Sequence, residues 1–247
     1  MTESQALQID EKNGSKESLL EAAEALFSER GYEGVSTREL ADRAGVNLGA
    51  IQYHFGSKGK LFIETVHRMM RRSACACGSA LSPTRVTTPE HTADHIGKLI
   101  KELMTYLLRP SGPQGCRVMF RETFTRMSND HDMFQALVSS VVNEFTRPSH
   151  QSLVEVLRVL LRDRHAHYNI HASALSIVGQ CFFYATHQPF IERLLNHSIV
   201  ESPQFDSFVD HIVQFSLRAL GCNEELVVRG VVAAQNHQLS LKQGMAI

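Results

Sequence analysis

The stretch from Ser36 to Phe62, STRELADRAGVNLGAIQYHFGSKGKLF, limits what this chain can fold into more than any other part of it. Ser36 and Thr37 are placed to cap a short helix over 38–44 that stops at Gly45, and Asn47 to cap a second running to Phe55. After the break at Gly56, Ser57 can cap a longer helix carrying Leu61, Phe62, Thr65, Val66 and Met69 on one side. Two short helices set at an angle across a turn of about three residues make a helix-turn-helix, a shape that fits the major groove of DNA. Leu40, Ala41, Ala44, Val46, Ile51 and Phe55 form the inner faces. Arg38, Leu48, Gly49, Ala50, Gln52, Tyr53 and His54 are left on the outer face or at its exposed end, a set suited to base edges and phosphates. Gly49 serves either a close approach of backbone to DNA or simply the first helical turn.

Elsewhere apolar residues recur at helical spacing and sustained period-two alternation is missing, so the chain reads as all-α. Leu19, Leu20, Ala23, Leu26 and Phe27 stripe a first helix that ends at Gly31, a C-cap position. Ser, Thr, Pro and small residues from Ser73 to Pro89 mark a boundary. Longer helices follow at 91–108, 116–128, 131–147, 149–164, 172–195 and 204–220, with Pro148 among the breaks. The organisation is a disordered tail (1–14), a helix-turn-helix domain (15–64), a larger helical domain (65–222) and a C-terminal tail (223–247) that is partly mobile.

Net charge is −1, but the sum hides an asymmetry. From Ser36 to Arg72 seven basic residues face three acids, a local surplus of +4, whereas residues 1–35 hold eight acids against three bases. Arg68, Arg71 and Arg72 read as a solvated face of the fourth helix. No apolar run approaches the roughly 18 residues of a membrane span, and the N-terminus has no secretory pattern, which places the chain in the cytoplasm. Five cysteines without paired spacing fit reduced thiols.

The succession ALFSERGYEGVST, TRELADRAGV and AIQYHFGSKGKLF, over residues 16–64, resembles the DNA-binding domain of the TetR family. That resemblance makes the helix near Asn47 the recognition helix, gives Arg38, Leu48, Gly49, Ala50, Gln52, Tyr53 and His54 base-proximal or phosphate roles, and gives Lys58 a phosphate. MFRETF (119–124) and SIVGQCFFYATHQPFIERLL (176–195) resemble the ligand-binding domain of a TetR subfamily called CerR-like. The family implies a homodimer on palindromic double-stranded operator DNA, formed by helices 172–195 and 204–220, and released by a small-molecule effector. A transcriptional activator of the same fold is the alternative.

The apolar stripes fit that dimer: Ile177, Phe182, Tyr184, Ile191 and Leu195, then Phe205, Phe208, Val209, Ile212, Phe215 and Leu220, although an intramolecular core would use them equally. Candidate effector contacts are Phe120, Arg121, Phe124, Gln180, Phe183, Tyr184 and His187, with Met119, Glu122 and Phe134 beside them. A buried Arg121 would need an anion, either a ligand or a protein acid such as Glu122. His165, His167 and His171, and the pair Cys75 and Cys77, lack paired zinc-ligand spacing, so metal or redox sensing is a lesser reading. Neither an enzyme nor a cofactor site is expected.

Overall fold

The computed structural model describes residues 3–76, 87–108, 117–119, 121–122, 131–161, 169–201 and 203–243, with 3–13, 73–76 and 238–243 as backbone only. Among the described residues all regular structure is helical, and no helix is long and apolar enough to cross a membrane. The chain divides into two units: Met1–Cys75 with Pro113–Phe145, and Ala76–Gly112 with Thr146–Ile247.

In the first unit, α1 (Glu3–Arg30) buries Leu19, Ala23 and Phe27, then ends at Gly31, whose φ of 74° is open to glycine. α2 (Thr37–Ala44), α3 (Gly49–Phe55) and α4 (Lys58–Ala76) complete the helix-turn-helix around Leu40, Ile51, Leu61, Phe62 and Val66. Phe27 and Phe62 meet edge to face at 4.9 Å, a geometry that adds to the burial of both rings. α6 (His131–Val141) contributes Met133, Leu137 and Val141 to the same core. A π-helical turn over Val142–Thr146 follows.

The second unit is organised about α5 (Pro89–Leu107), which Thr88 caps by accepting from the His91 N–H at 3.3 Å. α7 (Arg147–Leu160), α8 (Ile170–Thr186), α9 (Gln188–Leu195), α10 (Gln204–Ala219) and α11 (Glu224–Gln243) make up the rest. α5 is buried along most of its length, and two of its charged residues, Lys101 and Glu102, are enclosed. Lys101 Nζ lies 2.5 Å from Asp206 Oδ1 and over the Phe205 ring at 4.5 Å, and Glu102 Oε1 lies 2.5 Å from His237 Nε2. Enclosed charges persist only when partnered in this way.

Four sequence expectations change. The 223–247 tail is largely helical: α11 lays Val227, Ala233 and Ala234 against the core and pairs Arg229 with Asp94 at 2.7 Å. Its sequence alternates small and apolar residues whose purpose shows only once α5 is beside it. The 1–14 tail is drawn into α1 from Glu3, since nothing before Gly14 breaks a helix and one glycine costs only about 1 kcal/mol. The expected helix 172–195 divides at His187, because Pro189 cannot donate an N–H to the preceding turn. Pro148 does the reverse: it sits in the first turn of α7, and the wider π turn before it absorbs the missing donor, so helical structure continues.

α5 and α11 approach most closely where Gly97 meets Gly230. A Cβ on Gly97 would overlap the Gly230 carbonyl oxygen, and one on Gly230 would press on Leu217. Gly97→Ala is therefore expected to cost about 1–3 kcal/mol through overpacking. Urea unfolding should show a lower midpoint, and an unchanged midpoint would mean that the crossing yields without strain.

Candidate nucleic-acid interface

The helix-turn-helix is built from local hydrogen bonds first. Ser36 Oγ accepts from the Glu39 N–H at 3.2 Å, while Glu39 Oε2 accepts from the Ser36 N–H at 2.9 Å, a reciprocal capping box. Arg30 Nη1 donates to Glu39 Oε1 at 2.9 Å, tying α2 to the end of α1. Gly45 and Gly56 close α2 and α3 in left-handed conformations, and Ser57 Oγ accepts from the Lys60 N–H at 3.1 Å to start α4. Asn47, expected as the cap of α3, instead offers its carbonyl to the Ala50 N–H at 3.0 Å, and the helix begins at Gly49. Gly49 thus occupies the first turn, where its cost is small.

These constraints present α3 with one face in the core and the other in water. Ile51 is buried, while Tyr53 is 69% exposed and Leu48, Gly49 and Gln52 are exposed beside it. Arg38 is exposed in the first turn of α2. Ala50, expected on the outer face, is only 9% exposed and packs in the core, because the angle of α3 turns its first-turn methyl inward. His54 is half-buried, its Nε2 hydrogen-bonded to Ser15 Oγ of α1 at 2.7 Å. Lys58 lies over the Tyr32 ring at 4.1 Å. Burial there pulls its pKa below the usual lysine value, against the opposing pull of Glu33, Glu122 and Glu39.

The basic surplus is smaller at the surface than in the sequence. Arg68 is enclosed between Glu17 at 2.5 Å and Glu24 at 2.7 Å, Arg72 pairs with Glu24 at 2.8 Å, and Arg71 bridges Glu64 and Glu144. Arg68 is enclosed, while Arg71 and Arg72 stay exposed beside their acids, and two of the four acids, Glu17 and Glu24, belong to α1. Arg38, Arg43, Lys58 and Lys60 are the remaining cations of the reading motif.

Residues 19–65 match the family model described as bacterial regulatory proteins, tetR family. Residues 92–220, more than half of the chain, match the C-terminal domain of the HTH-type transcriptional dual regulator CecR, where the sequence resemblance gave CerR-like. The chain belongs to the TetR family. The transcriptional repressor AcnR of Corynebacterium efficiens is 40% identical over 65 residues, which cover 26% of this chain and 35% of that one. The chain thus spans about a third of the length of the first curated relatives it matches. A gamma-butyrolactone receptor (ArpA-like) shares the fold with a TM-score of 0.56 at 16% identity, covering 93% of this chain and 99% of the other. AibR, solved in complex with isovaleryl coenzyme A and operator DNA, shares it with a TM-score of 0.53 at 14% identity, covering 81% and 97%.

In this TetR-family chain the described effector candidates are Arg121 in the first unit and Gln180, Phe183, Tyr184 and His187 in the second. Phe120 and Phe124 lie outside the described residues, as do His165, His167 and Cys77. Arg121 meets α1: Nη1 donates to the Ser28 carbonyl at 3.1 Å, Nη2 to the Phe27 carbonyl, and Nε lies 3.8 Å from Glu122 Oε1. Met119 packs beside the first unit's core. Gln180 donates to Ser216 Oγ at 3.3 Å, linking α8 to α10, and Tyr184 meets Phe208 edge to face at 5.1 Å. Phe183 and His187 are exposed and stack at 4.6 Å. The described residues hold no cluster of three metal-ligating side chains, and burial pushes the Cys181 thiol up to about 12.

Two functional positions escaped the sequence reading. Ser15 carries no signal, because its partner lies 39 residues away. Glu39 did carry one, since Ser-Thr-Arg-Glu has capping-box spacing. The bonds from Ser36 and then Arg30 hold the Glu39 carboxyl down at about 2, against a usual 4.5. Its contribution to stability is therefore complete above about 4.5 and is lost as pH falls toward 2. Thermal melts across that window should show wild type converging on Glu39→Gln as the pH drops, and a constant gap would remove the capping box as the cause.

Proposed function

We propose that this protein is a homodimeric transcriptional repressor that reads palindromic operator DNA with α3 and lets go when a small apolar or amphipathic effector binds the C-terminal region. One observation carries the reading: α3 and the Leu48 that precedes it hold Tyr53 and Leu48 out in water while the opposite face of α3 is fixed in the core. Exposed apolar and aromatic side chains on and beside so short a helix lie where a groove of DNA would cover them. Arg38 and Gln52 read base edges; Tyr53 and Lys58 meet phosphates, Lys58 after swinging from the Tyr32 ring. Leu48 and Gly49 give apolar contact and close backbone approach. Ala50 acts from behind by packing, and His54 through its bond to Ser15.

A palindrome calls for two-fold symmetry in the protein. The surface that supports it differs from the stripe read in the sequence. Ile212 is fully buried and belongs to the core, but Leu175 and Phe183 on α8 and Phe215 on α10 are 60%, 52% and 57% exposed. Leu175, Gly179 and Phe183 recur every fourth residue, so a second copy's helix can lie along them. Release by a small molecule is supported by the fold shared with a butyrolactone receptor and with AibR, which was solved with a coenzyme A ester. CecR's description as a dual regulator favours activation at some promoters as the second reading.

Titrating salt against an operator selected from a random duplex pool tests the contacts. Lys58→Ala should weaken all sequences alike and lower the salt slope by about 0.9. Gln52→Ala should cost about 1–3 kcal/mol on the selected operator and relax one base pair per half-site. Equal loss on every operator variant would end the base-reading role. In sedimentation, Phe183→Glu with Phe215→Glu should give folded monomers, and a persistent dimer would place the interface elsewhere.

A further inference from the structure

We propose that His150 and His171 form a surface site for a late first-row divalent metal ion such as Zn²⁺, which clasps the start of α7 to the start of α8. The proposal stands apart from the repressor reading, since both residues lie in the second unit and neither is among the proposed DNA contacts. Spacing along the chain singles out His165, His167 and His171, of which the first two lie outside the described residues. His171 finds its partner 21 residues back instead: its Nδ1 lies 2.9 Å from His150 Nε2. His54, His67 and His237 face oxygen, a serine hydroxyl in the first case and a carboxylate in the other two. Imidazole facing imidazole differs, because one facing nitrogen of a neutral pair carries a proton and the other offers a lone pair.

The fold around the two rings brings them together. Asn169 Oδ1 accepts from the Ala172 N–H at 3.0 Å, which starts α8 and fixes the backbone that carries His171. Leu153, Val154 and Leu157 of α7 share a core with Ala174 and Ile177 of α8, and that packing sets the distance between the helices. His171 is exposed and His150 half-buried, so an ion reaches the pair from water.

At a metal–nitrogen distance of about 2.0–2.1 Å, two imidazoles on one ion stand about 3.3 Å apart at the tetrahedral angle and about 2.9 Å apart at a right angle. The observed separation reaches either with little movement. Binding moves one proton and breaks no covalent bond but that N–H: the ring that donates across the pair shifts its proton to its far nitrogen, Nδ1 of His150 or Nε2 of His171, and both facing lone pairs turn to the ion. The neutral pair therefore takes up the ion with no net release of protons. Neutral imidazole suits zinc, copper and nickel, whereas magnesium and calcium take oxygen ligands. Two protein donors are fewer than the three or four of catalytic and structural zinc centres, and among the described residues no third joins them, so water fills the other positions.

The experiment is a calorimetric titration of zinc chloride into the metal-free, full-length protein without a histidine tag. The tightest step should take one ion per chain. His150→Ala and His171→Ala should each weaken that step about tenfold or more, while His165→Ala combined with His167→Ala should stay within about twofold. Zinc, unlike magnesium, should raise the melting temperature of the wild type, and either single variant should lose that rise, because an ion held only by the folded chain stabilises it. Copper(II) loaded at one ion per chain should show, in its electron paramagnetic resonance spectrum, splitting from two imidazole nitrogens. Zinc affinity unchanged in both single variants would overturn the proposal, as would a tight step lost with His165 and His167 but kept in His150→Ala, or the absence of any binding. If the half-buried His150→Ala shows no cooperative melt, His171→Ala, at an exposed position, carries the test alone.

Discussion

A helix of seven residues has no stability of its own in water, because nucleation costs more than so few bonds return. α3 spans only Gly49–Phe55, and everything in the first unit serves to hold it. Ile51 and Ala50 bury its inner face, Gly56 closes its end, and Ser15 engages His54 from α1. α2 is scarcely longer and is fixed by its capping box and by Arg30. The reading surface is thus a product of the packing behind it.

Electrostatics follows the same logic. An acidic α1 beside a basic α4 consumes Arg68 and Arg72 in pairs with Glu17 and Glu24. Arg38, Arg43, Lys58 and Lys60 carry positive charge on α2 and at the start of α4. On the proposed function, that charge lies where phosphate contacts would set register. The near-neutral whole is the sum of this arrangement rather than a sign that charge plays no part.

In the second unit the enclosed pairs Lys101 with Asp206 and Glu102 with His237 fasten α5 to α10 and α11. Pairs of this kind add little net stability compared with apolar packing, but breaking one is costly, so they fix register more than they add strength. The glycine crossing at Gly97 and Gly230 brings α5 and α11, which the Glu102–His237 pair joins, into close contact. α11 lies beyond both segments that match family models, yet it completes the core.

How much of this was legible depended on sequence range. Caps at Ser36 and Ser57, stops at Gly31, Gly45 and Gly56, the inner face of Leu40 and Ile51, and the exposure of Arg38, Gln52 and Tyr53 all follow from neighbours within a turn or two, and the sequence determined them alone. Proline had two outcomes, a break at Pro189 and continuity at Pro148, because the neighbouring turn decides whether a missing donor can be absorbed. Ala50 turned inward, Arg121 became a cap for α1, Ile212 joined the core, and residues 224–243 became a packed helix. Each of these depends on a partner distant along the chain. Local periodicity shows that a face is apolar or a side chain charged, but only tertiary packing decides what comes to meet it.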